Sequence, residues 1–248
     1  MSRISRTFED QKSLIVFIMA GDPSLEKTAK LVREIEAAGA DIIELGIPFS
    51  DSIADGPTIQ AAALRALKRN TSASDAIKLA AKIRRTSRIP LIFMTSFNIL
   101  SAYGVDKFVR ASKRAGVDGL IIPDLPVDAS NLIRKHGLDE IFLAAPNSSD
   151  KELRMIAKKS SGFIYAVSIS GITGARNSLH LEAKKTISKL RKLTKTPVAI
   201  GFGISNPAQA RKASRISDGV IVGSAVIDVI AKKRNVGRFV SSLKKAIS

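Results

Sequence analysis

The chain contains no cysteine and no tryptophan, and it has only two histidines in 248 residues. Without cysteine there is no disulfide, no thiolate nucleophile and no sulfur-ligated metal. His136 and His180 both fall in or beside helical sequence and read as surface or packing residues. No imidazole cluster is therefore on offer to a zinc ion. Ten Phe and two Tyr are the only aromatics, too few for the stacking platforms that single-stranded nucleic acid requires. No apolar run approaches the ~18 residues that a membrane span needs. The opening stretch, Met1 to Lys12, is charged and lacks an apolar signal core, so the expected location is the cytoplasm.

Acidic residues are also scarce: 22 Asp and Glu stand against 40 Lys and Arg, a formal charge of +18. Residues 1–124 carry 18 basic against 14 acidic side chains, and residues 125–248 carry 22 against 8, so +14 of the total belongs to the second half. Such a field attracts nucleic acid, an acidic partner or an anionic small molecule. The bases are spread along helical sequence, as at Lys184, Lys185, Lys189, Arg191 and Lys192, and do not form a tail. They read as a solvated helix surface that steers an anion, not as a nucleic-acid site.

What the sequence has in abundance is alternation. Short apolar runs at Leu14–Met19, Asp41–Leu45, Pro90–Met94, Gly119–Ile122, Glu140–Leu143, Gly162–Val167, Pro197–Ile200 and Gly219–Val222 predict eight strands. Their continuity, as in "LIVFIM", is the pattern of strands covered on both faces. Amphipathic stretches lie between them, with glycines such as Gly39 and Gly116 at their ends. Repeated βα units are shared by an open doubly wound sheet and a closed barrel. Eight units in one chain of this length favour a single (β/α)8 TIM barrel over residues 1–248. Two additions are expected: an N-terminal helix, and an extra helix over Ala73–Thr86 between the second and third strands. In this architecture the chemistry sits where strands lead into helices.

At the second such junction, Glu44 stands in an apolar strand between Ile43 and Leu45, and Asp55 follows in a Pro/Ser/Asp/Gly loop. A carboxylate in that setting is costly unless it is paired, hydrogen-bonded or functional, and burial raises its pKa toward the range useful for proton transfer. The plainer alternative makes Glu44 a structural acceptor and Asp55 a turn residue before Gly56. At the seventh and eighth junctions lie "GFGIS" (Gly201–Ser205) and Gly223-Ser224. Glycine lets backbone N–H groups approach phosphate oxygens, and a helix N-terminus favours the anion, so the pair predicts a phosphorylated ligand. The polar stretch Ser168–Ser178 suits a mobile lid or a plain surface connection. No lysine closes a strand: Gly46, Phe49, Thr95, Pro123, Ala145, Ser170, Gly201 and Ser224 or their neighbours stand there. That disfavours a Schiff-base aldolase, and the missing His and Cys cluster disfavours a zinc aldolase. Carboxylate acid–base chemistry on a phosphorylated substrate remains.

The segments "AGDPSLEKT", "ADIIELGIPFSDSIADGPTIQ", "SISGITGA", "GFGIS" and "VGSA" resemble, in order and spacing, the tryptophan synthase alpha subunit family, along essentially the whole chain. The resemblance implies a lyase that splits indole-3-glycerol phosphate into indole and glyceraldehyde 3-phosphate in tryptophan biosynthesis. It implies no cofactor in this chain, and a beta subunit carrying pyridoxal phosphate in an alpha2beta2 assembly. It assigns catalysis to Glu44, Asp55 and Tyr165: Glu44 protonates C3 of the indole, and Asp55 accepts the indole N–H. It gives Gly174, Phe202, Gly203, Gly223 and Ser224 to phosphate, Thr173 to orienting Asp55, and Phe17, Ile121 and Ile204 to the indole pocket. The chain departs from the family pattern at Ser52, usually Pro, and at Ile169, where many relatives carry a basic residue. Three further readings stand beside this one: a stand-alone lyase, a non-catalytic activator of the beta subunit, and a basic nucleic-acid binder on a borrowed barrel.

Overall fold

The computed structural model describes residues 1–51, 55–129, 132–167, 176–201 and 203–248, with side chains left aside at 176–181. The chain alternates as predicted. Helix α1 (Arg3–Arg6) precedes β1 (Ser13–Met19), α2 (Leu25–Ala37), β2 (Ile42–Gly46), α3 (Pro57–Leu67), α4 (Ala73–Arg84) and β3 (Leu91–Met94). Then come α5 (Phe97–Tyr103), α6 (Val105–Arg114), β4 (Gly119–Ile121), β5 (Asp139–Ile141) and β6 (Leu143–Ala144). The last part holds α7 (Asp150–Lys159), β7 (Ile164–Val167), α8 (Arg176–Leu193), β8 (Val198–Gly201), α9 (Pro207–Ser214), β9 (Gly219–Val222), α10 (Ser224–Ala231) and α11 (Val236–Ile247).

The sheet runs β5-β4-β3-β2-β1-β9-β8-β7-β6, every described pairing parallel. Its two edges, β5 and β6, are halves of one strand that pauses at Phe142. Phe142 still accepts a backbone bond from Tyr165 N–H at 3.0 Å, and Glu140 accepts one from Ser161 N–H at 2.9 Å. The sheet is thus a closed barrel of eight strands. Its register confirms the closure. Pairing leads from Phe17 through Glu44, Ile92 and Gly119 to Asp139. Four residues farther along that strand, Leu143 leads through Tyr165, Ala199 and Gly219 to Ser13, four residues before the start. The two offsets of four make a shear of eight, the value for this barrel architecture.

Local chemistry explains the elements. All seven residues of β1 are buried, as a strand between lumen and helices must be. Ser72 with Asp75, and Ser149 with Glu152, form capping boxes that start α4 and α7. Asp41, Asp118 and Asp218 each stand just before a strand and accept an amide from the start of the preceding one. Leu14 N–H lies at 2.7 Å, Leu91 N–H at 2.9 Å and Val198 N–H at 2.9 Å. The lumen is filled by Ile15, Ile42, Ile92, Ile121, Ile141 and Phe163, with Ile4 of α1 packed beneath. A packed lumen leaves only the mouth for chemistry.

The expected N-terminal helix is present as a single turn, Arg3–Arg6. Three other expectations need correction. The fourth strand is not followed by an α-helix among the described residues. Two 3-10 turns, Val127–Ala129 and Arg134–His136, lie there, after Pro126 and before Gly137 in the left-handed region. Conversely the third strand is followed by two helices, broken at Gly104 (φ +89). The expected loop Ser168–Ser178 is already helical from Arg176, while its first part, 168–175, lies outside the described residues. The extra helix between the second and third strands is present as α4. No helix among the described residues is long and apolar enough to cross a membrane.

Candidate active site

Inward-facing positions alternate along each strand, and the top rung carries the polar groups. Glu44 on β2 sits level with Phe17 on β1 and Ile92 on β3. Its side chain is buried, at 1% exposure, and Oε2 has no hydrogen-bond partner among the described residues. Burial pushes the carboxyl up to about 8, and the charge of Asp55 adds to the shift. Near neutral pH the group therefore holds a proton that it can give up and take back. Tyr165 enters from β7, buried at 6% exposure. Burial first, then the charges of Glu44 and Asp55, hold its phenol well above its usual range. The three side chains thus share one electrostatic neighbourhood. Gly201 lets Tyr165 lie there, since a Cβ at that position would overlap the phenolic oxygen.

Asp55 lies just ahead of α3, and its carbonyl accepts from Gln60 Nε2 at 2.9 Å. It projects into a hollow of about 290 Å³ with Glu44, Tyr165 and Phe17. Across that hollow stand Gly203, Ile204, Gly223 and Ser224. Gly203 has φ +74, open to glycine at little cost. Gly223 precedes α10 and brings no capping side chain, so the first turn of that helix offers backbone N–H groups to the mouth. By contrast α9 is closed by its own Asn206, which accepts from Gln209 N–H. A second hollow of about 320 Å³ adjoins the first, with Phe17, Asp55 and Met94 common to both. Its wall is largely apolar, with Met19, Ile47 and Phe49.

The structure thus gathers Glu44, Asp55, Tyr165, Phe17, Gly203, Ile204, Gly223 and Ser224 around one cleft. Ile121 is not in the wall; it is fully buried in the lumen, and Met94, its register neighbour on β3, lines both hollows. Thr173, Gly174 and Phe202 lie outside the described residues, as do Ser52 and Ile169. Sequence reasoning passed over Met94, Ile59 and Ile221. Met94 ends a strand, so the strand-end rule was a usable signal; Ile59 and Ile221 look like ordinary core residues in sequence. Among the described residues that line the two hollows there is no Lys or Arg. Nor do three or more His, Asp or Glu side chains gather as a metal site among the described residues. The cleft joins a buried carboxyl with a raised pKa, a second carboxylate, an apolar slot and a helix end that no side chain caps.

Comparison with known proteins gives the same answer from another direction. The family model described as tryptophan synthase alpha chain matches residues 5–246. The tryptophan synthase alpha chain of Thermoanaerobacter sp. (strain X514) is 45% identical, with 100% of both chains covered. That of Geotalea uraniireducens is 42% identical, covering 100% of this chain and 98% of the relative. The crystal structure of tryptophan synthase subunit alpha from Legionella pneumophila superposes with a TM-score of 0.90 at 34% identity, over 100% of this chain and 98% of that one. A chain of the tryptophan synthase complex from Pyrococcus furiosus gives 0.83 at 33% identity, over 94% and 98%. The chain belongs to the tryptophan synthase alpha chain family, whose members cleave indole-3-glycerol phosphate to indole and glyceraldehyde 3-phosphate.

Proposed function

We propose that Glu44 is the proton-transfer group of this lyase reaction and that Asp55 is its electrostatic partner. The observation that carries this is the buried Glu44 carboxyl, raised to about 8, in the same hollow as Asp55 and the open end of α10. Glu44 delivers its proton to C3 of the indole ring. The ring nitrogen becomes cationic, and Asp55, accepting its N–H, stabilises that charge. Glu44, now a carboxylate, takes the proton of the hydroxyl next to C3. The carbon–carbon bond breaks, its electrons return to the ring, and indole and the aldehyde separate with Glu44 protonated again. Tyr165 packs the buried side of this pair with its phenol protonated.

In this proposal Gly203, Gly223 and Ser224 bind the phosphate together with Gly174 and Phe202, and Thr173 orients Asp55. Phe17 and Ile204 flank the indole, and Ile121 supports them from within the lumen. The whole chain, 1–248, acts as one catalytic domain in the cytoplasm. It works with a beta subunit in an alpha2beta2 assembly, a reading supported by structural relatives taken from tryptophan synthase complexes. Pyridoxal phosphate belongs to that partner, and no residue here is assigned to it.

Indole release by the purified chain, with and without a beta subunit, tests the assignment. Glu44→Gln and Asp55→Asn are each expected to lower kcat at least ~100-fold, and the partner to accelerate the wild type. Full activity in either variant would remove that residue from the chemistry. Release that no beta subunit accelerates would favour a stand-alone enzyme.

A further inference from the structure

The loop after β1 holds a buried carboxylate that the reaction does not use. Asp22 is 2% exposed, and one guanidinium takes both its oxygens: Arg65 Nε donates to Oδ1 and Nη2 to Oδ2, each at 2.8 Å. Arg65 lies in the last turn of α3. Beside the ion pair, Gly21 (φ +84) packs so closely on Thr71, just past α3, that a Cβ would overlap the threonine hydroxyl. Gly21 N–H also donates to Thr28 Oγ1 at 3.2 Å, which ties the loop to α2. The loop therefore grips the far end of α3 at two points. The near end of the same helix carries the site. Asp55 stands two residues before it, its carbonyl accepting from Gln60, and Ile59 and Ala63 form parts of the cleft wall.

A helix of this length is a stiff rod of about 16 Å, so a tilt at one end is a displacement at the other. We propose that Arg65 and Asp22 are positioning residues, whose two-bonded ion pair sets the tilt of α3 and so holds Asp55 opposite Glu44. The proposal rests on the roles given above to those two carboxyls. Geometry, not charge, is the means: burial and Asp55 account for the state of Glu44, and Arg65 is not among the causes. Lysine keeps the charge but cannot make the planar two-bonded fork, so Arg65→Lys isolates the geometric part.

The test is steady-state kinetics of the full-length chain with Arg65→Lys and Arg65→Gln, alone and on Asp55→Asn. Folding is checked by circular dichroism, and either variant that folds suffices. Expected is a loss in kcat of about tenfold or more, with KM within about twofold because the phosphate end sits on other elements. On the Asp55→Asn background the same change should cost less than about twofold, the non-additivity of two residues acting as one. Among the described residues, Asp55 and Tyr165 are the titratable groups facing Glu44. As the Asp55 charge recedes, the alkaline limb of kcat should therefore move to lower pH. An unchanged kcat and limb in Arg65→Lys, or losses that multiply in the double variant, would overturn the proposal. If Asp55→Asn has no measurable activity, the limb alone decides. If Asp55→Asn keeps full kcat, the role of Asp55 fails and the positioning role fails with it.

Discussion

Glu44 is where protonation and stability meet and, in the role proposed for it, catalysis as well. Its pKa is near 4.5 in an ordinary exposed setting and about 8 when folded. The folded state thus binds this proton more tightly than the unfolded chain does. Its stabilising effect is complete below about 4.5 and is lost as pH rises through about 8. Glu44→Gln cannot ionise and should escape that loss. Thermal melts at pH 5, 7 and 9 are the check: the Tm of Glu44→Gln should rise relative to wild type with pH, by several degrees at pH 9. A difference that stays constant with pH would mean that Glu44 titrates normally. Wild-type kcat should decline over the same alkaline range, since the proton donor is lost there. The presence of Glu44 was legible because a lone carboxylate in "IIELG" breaks an apolar run. The depth of Ile121 was not legible. Which rung reaches the mouth depends on strand tilt and stagger, and those are properties of the closed barrel, not of any one strand.

At the scale of elements, α10 makes a separable prediction. Its first residue, Ser224, lines the cleft, and Gly223 leaves the helix end open. Ser224→Asp puts a carboxylate at that end. A helix N-terminus gains roughly 0.3–1 kcal/mol from such a charge, while the same charge repels a phosphate. The variant is therefore expected to melt at or slightly above the wild-type temperature, yet to raise KM about tenfold or more with kcat largely kept. A normal KM would exclude this helix end from phosphate binding. Strands were the most legible elements, because residues buried on both faces must be apolar throughout, as in "SLIVFIM". Connections were less so. The stretch after β4 carries Pro126, Ser130 and Asn131 among apolar residues, and its helical pattern gave way to 3-10 turns where described. The break at Gly104 between α5 and α6 is set by one positive φ, +89, which no periodicity reveals. The ion pair between Asp22 and Arg65 was equally invisible: its partners stand 43 residues apart, and only the fold brings them together.

At the scale of the whole molecule, charge and site must be read together. The chain carries +18, and exposed cations crowd α8, where Lys184, Lys185 and Lys192 have no ion-pair partner among the described residues. Yet the described lining of the cleft holds no cation at all. Backbone N–H groups and a helix end can hold a phosphate once it arrives, but they act only within about a turn of helix. The distributed positive field acts farther, over roughly 30 Å at 0.01 M salt and about 8 Å at 0.15 M. The division of labour expected is long-range capture by the surface and short-range binding by the loops. Raising an inert salt from about 0.01 to about 0.5 M should then lower kcat/KM several-fold and leave kcat at saturation nearly unchanged. Lys184→Gln, Lys185→Gln and Lys192→Gln together touch nothing in the cleft, yet should flatten that salt dependence. If kcat/KM ignores salt in both proteins, capture owes nothing to the field. The mouth itself would then have to supply all of the attraction, through its helix end and glycine backbone.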